Sequence, residues 1–426
     1  MMVEPLIQGD VMMSEPTRIV SPRRRQAAFS CQCVLCVLLG LLAVMMFTGY
    51  WPMHHTPYNS YVRQACAWLE GRLDLADGAT LTWLELAIRD GKYYVSFPPF
   101  PSYVMLPFAA IWGVHFQEAW LALAVTALGI CYACAIYRRV CRDHRGLFWI
   151  MFLYFGTGFL FIAFNGWVWF IAQNMCFTLS LMAIYHAMRG QGTVSLTAWA
   201  CAVGCRPMVM LYLPVLLWLL YRHQRRHHPQ DAPWLIILRR WYWVIGPVVL
   251  GASYMLLNYL RFGDVFEFGH NFLPEFTRAE HGQFSVLYIW DNIKALLRLP
   301  GWVNQEEPLS FFYMNGMAFW LTNPFLITMT IAWIIALRSR PRKSPALMLM
   351  LPLLTLVYVL IICAHRTLGG WHFGNRYLLD IMPWLFFAFL HWKPKRDTFA
   401  AWNVPIAVFA AAVNLIGTVA TYNKWL

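Results

Sequence analysis

The sequence predicts an all-α fold, a polytopic transmembrane helical bundle of about eleven spans, on three observations. Hydrophobic residues make up 60% of the chain and charged residues only 12%, against about 25% charged in a soluble domain. Apolar runs of about 20 residues, enough to cross a hydrocarbon layer about 30 Å thick, recur along the chain. Arg and Lys gather in short tracts between those runs, as the cytoplasmic loops of membrane proteins require. The net charge of +13 therefore orients the chain in a bilayer, and no nucleic-acid partner is expected. The 11 Cys fall mostly inside apolar runs, which disfavours a disulfide framework. Cys31, Cys33 and Cys36 read as small packing residues of a helix rather than as a metal tract.

Taken in order, residues 1–30 read as a cytoplasmic tail that closes on Arg23, Arg24 and Arg25. The first span, 31–50, lacks a small-residue cleavage site and reads as retained. A first outer loop, 51–116, follows. Within it Tyr58, Tyr61, Val62, Ala65, Trp68, Leu69 and Leu73 recur at helical spacing, with Arg63, Gln64, Glu70 and Arg72 opposite, which predicts an amphipathic surface helix. The stretch ELAIRDGKYYVSFPPFPSYVMLP, 85–107, comes next. Pro98, Pro99 and Pro101 bar a regular helix through its middle. The apolar part after them, 102–114, is too short to cross, so it is expected at the membrane surface or inside protein beside a polar cavity. The alternative is a span with a proline start.

Further spans are expected at 117–137, 147–164 and 167–188, the last two hinged outside at Asn165-Gly166. Two short spans share 193–221, broken at Gly204-Cys205-Arg206-Pro207 with Arg206 at the outer turn. Residues 241–259 lead into a second outer loop, 261–317, and spans at 318–336, 346–363, 377–390 and 398–419 complete the bundle. The chain thus divides into the tail, a transmembrane module over 31–260, the second loop, and a C-terminal set of helices over 318–426. Strongly basic tracts then lie inside, except in HRTLGGWHFGNR, 365–376. No internal repeat supports an inverted-repeat transporter.

Outer-side guanidinium groups at Arg206 and Arg376 suit an anion, and their planar fork suits phosphate. Arg206 could instead be a snorkelling helix-end residue. Among the outer acids Glu85, close before the proline corner, is the first candidate for a general base, with Asp74 and Asp90 behind it. Any single one of them is more often a solvated loop acid than a base. Tyr93 and Tyr94, with His270, Asn271 and Glu275 of RFGDVFEFGHNFLPEF, are candidate substrate contacts, the alternative being an interfacial aromatic belt. His54 and His55 have no carboxylate pair near them. No metal site and no cofactor are expected, a divalent metal being the less favoured alternative.

Four strings, NSYVRQACAWLEGRLDL, ELAIRDGKYYVSFPPFPSYVMLPF, NYLRFGDVFEFGHNFLPEFT and FGNRYLLDIMPWL, occur in this order on the expected outer side. In them the chain resembles the polytopic membrane glycosyltransferases of the GT-C superfamily, in the bacterial branch near the protein mannosyltransferase-like enzymes of family 39. The resemblance implies a GT-C-like module with membrane-surface helices in its first outer loop and a variable C-terminal set. It implies inverting transfer of a sugar from a polyprenyl-phosphate-linked donor to an extracytoplasmic lipid, glycan or protein. The setting would be the cytoplasmic (inner) membrane, with the N-terminus cytoplasmic and membrane lipid around the site. In that family an acid of the first outer loop serves as base and basic side chains hold the donor phosphate. Glu85 is similar in position to a family acid of the second string. Two departures stand out. GYWPMHHTPYNSY has no carboxylate where the family often places its key acid, and Asn165-Gly166 replaces the acidic turn of metal-dependent oligosaccharyltransferase relatives, which argues for metal independence. The rival readings are a transporter or flippase of a lipid-linked or anionic solute, and an assembly subunit without activity.

Overall fold

The computed structural model describes residues 22–141, 143–230, 235, 238–299, 318–339, 344–369 and 373–424. Helix α1 (Pro22–Thr48) opens on Pro at its first position, where the missing N–H has no partner to lose. It therefore starts inside the predicted tail, and Arg23 to Arg25 lie in its first turn. Cys33, Val37, Leu41 and Val44 turn inward, while Leu35, Leu39, Leu42 and Met46 face out. That division is the lipid-facing pattern of a peripheral span.

The first outer loop folds into a layer over one end of the bundle. Helix α2 (Ser60–Leu69) is the predicted amphipathic helix. Two residues depart from the reading: Leu69, read on the apolar face, is exposed at the last position of the helix, and Gln64 is buried, where its Oε1 accepts from Ser102 Oγ at 2.8 Å. The charged part of the 85–107 stretch is a hairpin, β1 (Leu86–Arg89) and β2 (Lys92–Val95), with Leu86 opposite Val95 and Arg89 opposite Lys92. Asp90 and Gly91 both have positive φ, 51° and 71°, the geometry of a two-residue type I′ turn. The Asp-Gly pair between alternating residues is the sequence signal for it, a hairpin that the reading above does not contain. Helix α3 (Phe100–Trp112) starts on the proline corner and at about 20 Å is too short to cross a bilayer alone.

The bundle continues with α4 (Glu118–Val140), α5 (Gly146–Phe155), α6 (Phe159–Ile162), α7 (Val168–Met188), α8 (Gly192–Val203), α9 (Leu213–His227) and α10 (Ile245–Phe262). The second loop carries α11 (Pro274–Thr277) and α12 (Ile289–Leu297); its remainder, 300–317, lies outside the described residues. Then come α13 (Phe319–Thr322), α14 (Phe325–Arg338), α15 (Pro345–Ala364), α16 (Met382–Trp392) and α17 (Asp397–Tyr422). Among the described residues six helices are long and apolar enough to cross a membrane: α1, α4, α7, α10 with the turn before it, α15 and α17. Three more, α5, α8 and α14, are apolar but shorter. The chain is an integral membrane protein. The shorter pieces have identifiable breaks. Gly156 and Gly158 part α5 from α6, Gly204 and Pro207 part α8 from α9, and Asn323-Pro324 parts α13 from α14.

Helix α7 is the central one. Phe170, Ile171, Cys176, Phe177, Leu181 and Ile184 are all fully buried, and the helix carries the cavity end of the molecule about 30 Å from the opposite end. The outer layer is fastened to the bundle by named bonds. Val168 N–H donates to Tyr58 O at 3.0 Å and Phe100 N–H to Gly204 O at 3.0 Å. Arg261 at the end of α10 donates from Nη1 to Val95 O at 2.8 Å. Gly204 has to be glycine: a Cβ there would sit 2.2 Å from the Tyr254 hydroxyl oxygen and 2.8 Å from Phe100 Cβ.

Candidate active site

A cavity of about 310 Å³ opens where the two outer loops meet the bundle. Glu85, Phe97 and Pro98 come from the first loop, Trp169 from the start of α7, and Arg206 from the α8–α9 break. His270, Asn271 and Glu275 come from the second loop, and Arg376 and Asp380 from the turn before α16.

The string FGNRYLLD builds one wall. Gly374 is left-handed (φ 72°) and so close to α13 that a Cβ would lie 2.7 Å from Thr322 Oγ1. Asn375 caps the 3₁₀ turn Arg376–Ile381 by accepting from Leu378 N–H at 3.4 Å, and donates to Leu368 O at 3.1 Å. With its backbone so held, Arg376 donates from Nε to Gly369 O at 3.0 Å. Its guanidinium lies over the Tyr377 ring, 4.9 Å from the centroid, and 5.7 Å from that of Phe170. The side chain is buried, and Nη1 has no hydrogen-bond partner among the described residues. Burial holds its pKa below the ordinary arginine value, with the Arg206 charge acting the same way; Tyr377 and Glu85 act against it.

Arg206 is in a different state. Because it precedes Pro207 its backbone is extended, φ −142° and ψ 98°, which ends α8 and turns the side chain toward Asp380. Its Nε donates to Asp380 Oδ2 at 2.9 Å. Asp380 is buried and also accepts from Gln173 Nε2 at 2.7 Å, with the Tyr358 hydroxyl 2.9 Å away. Burial opposes the Arg206 charge, but Asp380, Tyr377 and Tyr358 outweigh it and hold the guanidinium above its ordinary pKa. One arginine is neutralised and the other is not.

Glu85 faces them from the first loop. Trp169 Nε1 donates to its Oε2 at 3.1 Å, and its backbone carbonyl accepts from Ser96 Oγ at 3.0 Å. Water reaches the carboxylate through the cavity, yet protein surrounds it. Burial raises its pKa above the ordinary 4.5, and Glu275 adds to the rise, while the Trp169 bond and Arg376 hold it back. His270 sits edge-on to Phe97, ring centroids 6.5 Å apart. Burial, then His365 and Arg206, push its pKa down to about 4, so it is a neutral imidazole at pH 7. Asn271 Nδ2 donates to Glu267 Oε2 at 2.6 Å, and Arg366 donates to the backbone carbonyl of Glu275.

Of the residues singled out from sequence, Glu85, Arg206, Arg376, His270, Asn271 and Glu275 line this cavity. The other four lie elsewhere. Asp90 is the first residue of the hairpin turn, its side chain 86% exposed beside Arg89. Asp74 is in the loop after α2, where its carbonyl accepts from Arg72 Nη1 at 3.0 Å. Tyr93 packs on Gly78, and Tyr94 packs edge-on against Phe262 with centroids 5.4 Å apart; both brace the hairpin. Sequence reasoning assigned no role to Asp380, Gln173, Tyr358 or Trp169. Asp380, four residues after Arg376 in FGNRYLLD, was a visible signal; Trp169 inside an apolar run gave none. His55 Nε2 is 2.6 Å from Val114 O. Among the described residues no three His, Cys, Asp or Glu side chains converge as metal ligands.

No family model and no curated protein matches the chain. Among solved structures, ArnT from Cupriavidus metallidurans bound to undecaprenyl phosphate aligns over 92% of this chain and 77% of its own, with 14% identity and a TM-score of 0.51. The apo state of the same protein aligns over 91% and 76%, with 14% identity and a TM-score of 0.48. At that identity the first alignment bears on architecture alone, and the chain has the polytopic helical fold of ArnT.

Proposed function

We propose that the protein is a membrane glycosyltransferase that moves a sugar from a polyprenyl-phosphate-linked donor to an extracytoplasmic hydroxyl acceptor, with inversion. The observation that carries the reading is the buried, unpartnered Nη1 of Arg376 at a cavity whose other wall presents Glu85. A buried cation with an unused donor is costly unless an anion completes it. A lipid-linked phosphate would do so while its tail stays in the bilayer. ArnT, whose fold this chain has, was solved with undecaprenyl phosphate bound.

In this reading Glu85 takes the acceptor hydroxyl proton as the oxygen attacks the anomeric carbon. The bond from that carbon to the phosphate oxygen breaks on the opposite face, and the phosphate leaves as an anion held by Arg376. A raised carboxyl pKa suits a general base, and a fixed guanidinium stabilises charge as it develops. Arg206, already paired with Asp380, adds field more than a bond. The cationic role falls to arginine, so no divalent metal is called for. His270, Asn271 and Glu275 would contact sugar or acceptor, with Phe97 and Trp169 as stacking faces. The cavity would face the extracytoplasmic side of the inner membrane.

The test is sugar transfer by purified Glu85→Gln, supplied with polyprenyl-phosphate sugars. Transfer should fall by about 10²–10⁴-fold, with the fold and donor binding kept. Transfer at the unaltered rate would remove Glu85 as the base. Movement of the lipid-linked sugar across a vesicle membrane without transfer would favour the flippase instead.

A further inference from the structure

The end of the bundle away from the cavity carries a second concentration of charge. Between Glu118 and Asp264 every basic side chain other than histidine is an arginine, and the only acids are Asp143 and Asp231. Asp143 is engaged: Lys393 Nζ lies 2.7 Å from its Oδ2, and the Arg145 N–H donates to Oδ1 at 3.1 Å. Arg145 itself pairs with Asp397. Asp231 lies outside the described residues. That side of the end is therefore balanced.

On the other side arginine predominates among the described residues. There the last turns of α4, α7 and α9 meet the start of α10. Arg139 Nη2 donates to Met188 O at 3.2 Å, and Arg240 Nη2 donates to Gln224 Oε1 at 3.4 Å. Gly190, left-handed at φ 72°, lies flat against the His223 ring, and Gly192 against Trp243. The result gathers Arg139, Arg189, Arg222, Arg226 and Arg240, none ion-paired with a carboxylate of the described residues. The crowding acts on its neighbours: burial first, then His227 and Arg139, push the His223 pKa below its ordinary value.

Aromatic rings stand beside these cations. The Arg222 guanidinium lies 4.7 Å from the Trp218 ring centroid and that of Arg189 5.6 Å from Tyr185. Trp241 is 65% exposed. Such rings mark the headgroup level of a bilayer. Immediately beyond, α10 shows lipid an exposed aliphatic strip of Val244, Ile245, Val248 and Val249.

We propose that this arginine cluster holds the phosphate headgroup of an anionic phospholipid whose acyl chains lie along α10. The guanidinium fork matches phosphate oxygens, and basic pockets between helices at the membrane surface are suited to anionic headgroups. Inorganic phosphate shares the headgroup chemistry but has nothing to lay against Val248 and Val249, so the lipid is the ligand. The site is separate from the proposed transfer chemistry and stands whether or not that reading holds.

Native mass spectrometry of the detergent-purified chain, titrated in parallel with phosphatidylglycerol and phosphatidylcholine, tests it. Phosphatidylglycerol should bind at least about fivefold more tightly, and each arginine removed should weaken it about fivefold, or on the order of a hundredfold in R222Q/R226Q/R240Q. R145Q, on the balanced side, should leave the preference unchanged, and inorganic phosphate at about 10 mM should not displace the lipid. Equal binding of the two lipids, an unchanged preference in the folded triple variant, or displacement by inorganic phosphate would each overturn the proposal. If the triple variant fails size exclusion, R222Q and R240Q singly are to show the fivefold loss, and an unchanged preference in both overturns it equally.

Discussion

At the scale of single residues, the site rests on an asymmetry between two arginines. Arg206 has a carboxylate, Asp380, and Arg376 has a backbone carbonyl, two aromatic faces and an idle Nη1. Asp380→Asn should therefore act mainly on stability. It removes the counter-charge of Arg206 and should cost about 3 kcal/mol, the low end for breaking a buried pair, because 21% of the Arg206 side chain is exposed. Denaturant or thermal unfolding in detergent measures it. The Glu85 carboxyl leads to a pH prediction. A base works when deprotonated, and burial raises this one above 4.5. The acid limb of the kcat/KM profile should thus lie above the ordinary glutamate value, with transfer rising as pH rises through it. His270, pushed down to about 4, should add no limb between about pH 5 and 8. An acid limb at or below the ordinary glutamate value would contradict this assignment.

At the scale of elements, what could be read from the sequence depended on how local each cause was. The amphipathic face of α2 and the proline corner before α3 are properties of neighbouring residues; the corner appears as read, and the helix does so except at Gln64 and Leu69. The break at Gly204–Pro207 likewise follows from local backbone chemistry. The hairpin was equally local, since Asp90-Gly91 calls for a type I′ turn, but the acids and tyrosines around it drew attention as chemistry instead. Asp90 serves the turn, so Asp90→Asn, which tolerates the same left-handed backbone, should keep transfer within about twofold. A loss as large as that of Glu85→Gln would return Asp90 to the chemistry. The Gln64 departure is of the non-local kind: its partner, Ser102, sits on another helix.

At the scale of the whole molecule, the six long apolar helices lie where the sequence placed the spans 31–50, 117–137, 167–188, 241–259, 346–363 and 398–419, because apolar length is a one-dimensional signal; the other five expected spans fall on shorter or broken helices. Convergence was legible only in part. Glu85, His270, Arg206 and Arg376 are spread over most of the chain, and only their shared side of the membrane suggested that they meet. Which acid would neutralise which arginine could not be read, because Asp380, Gln173 and Tyr358 come together from α7, α15 and the turn before α16. The most direct measurement of the central claim is the affinity of purified protein in detergent for a polyprenyl monophosphate, compared between wild type and Arg376→Ala. The account predicts a loss of at least tenfold, as expected for a charge-assisted hydrogen bond of about 1.5–3 kcal/mol, with Glu85→Gln binding as well as wild type. Equal affinity in wild type and Arg376→Ala would contradict it.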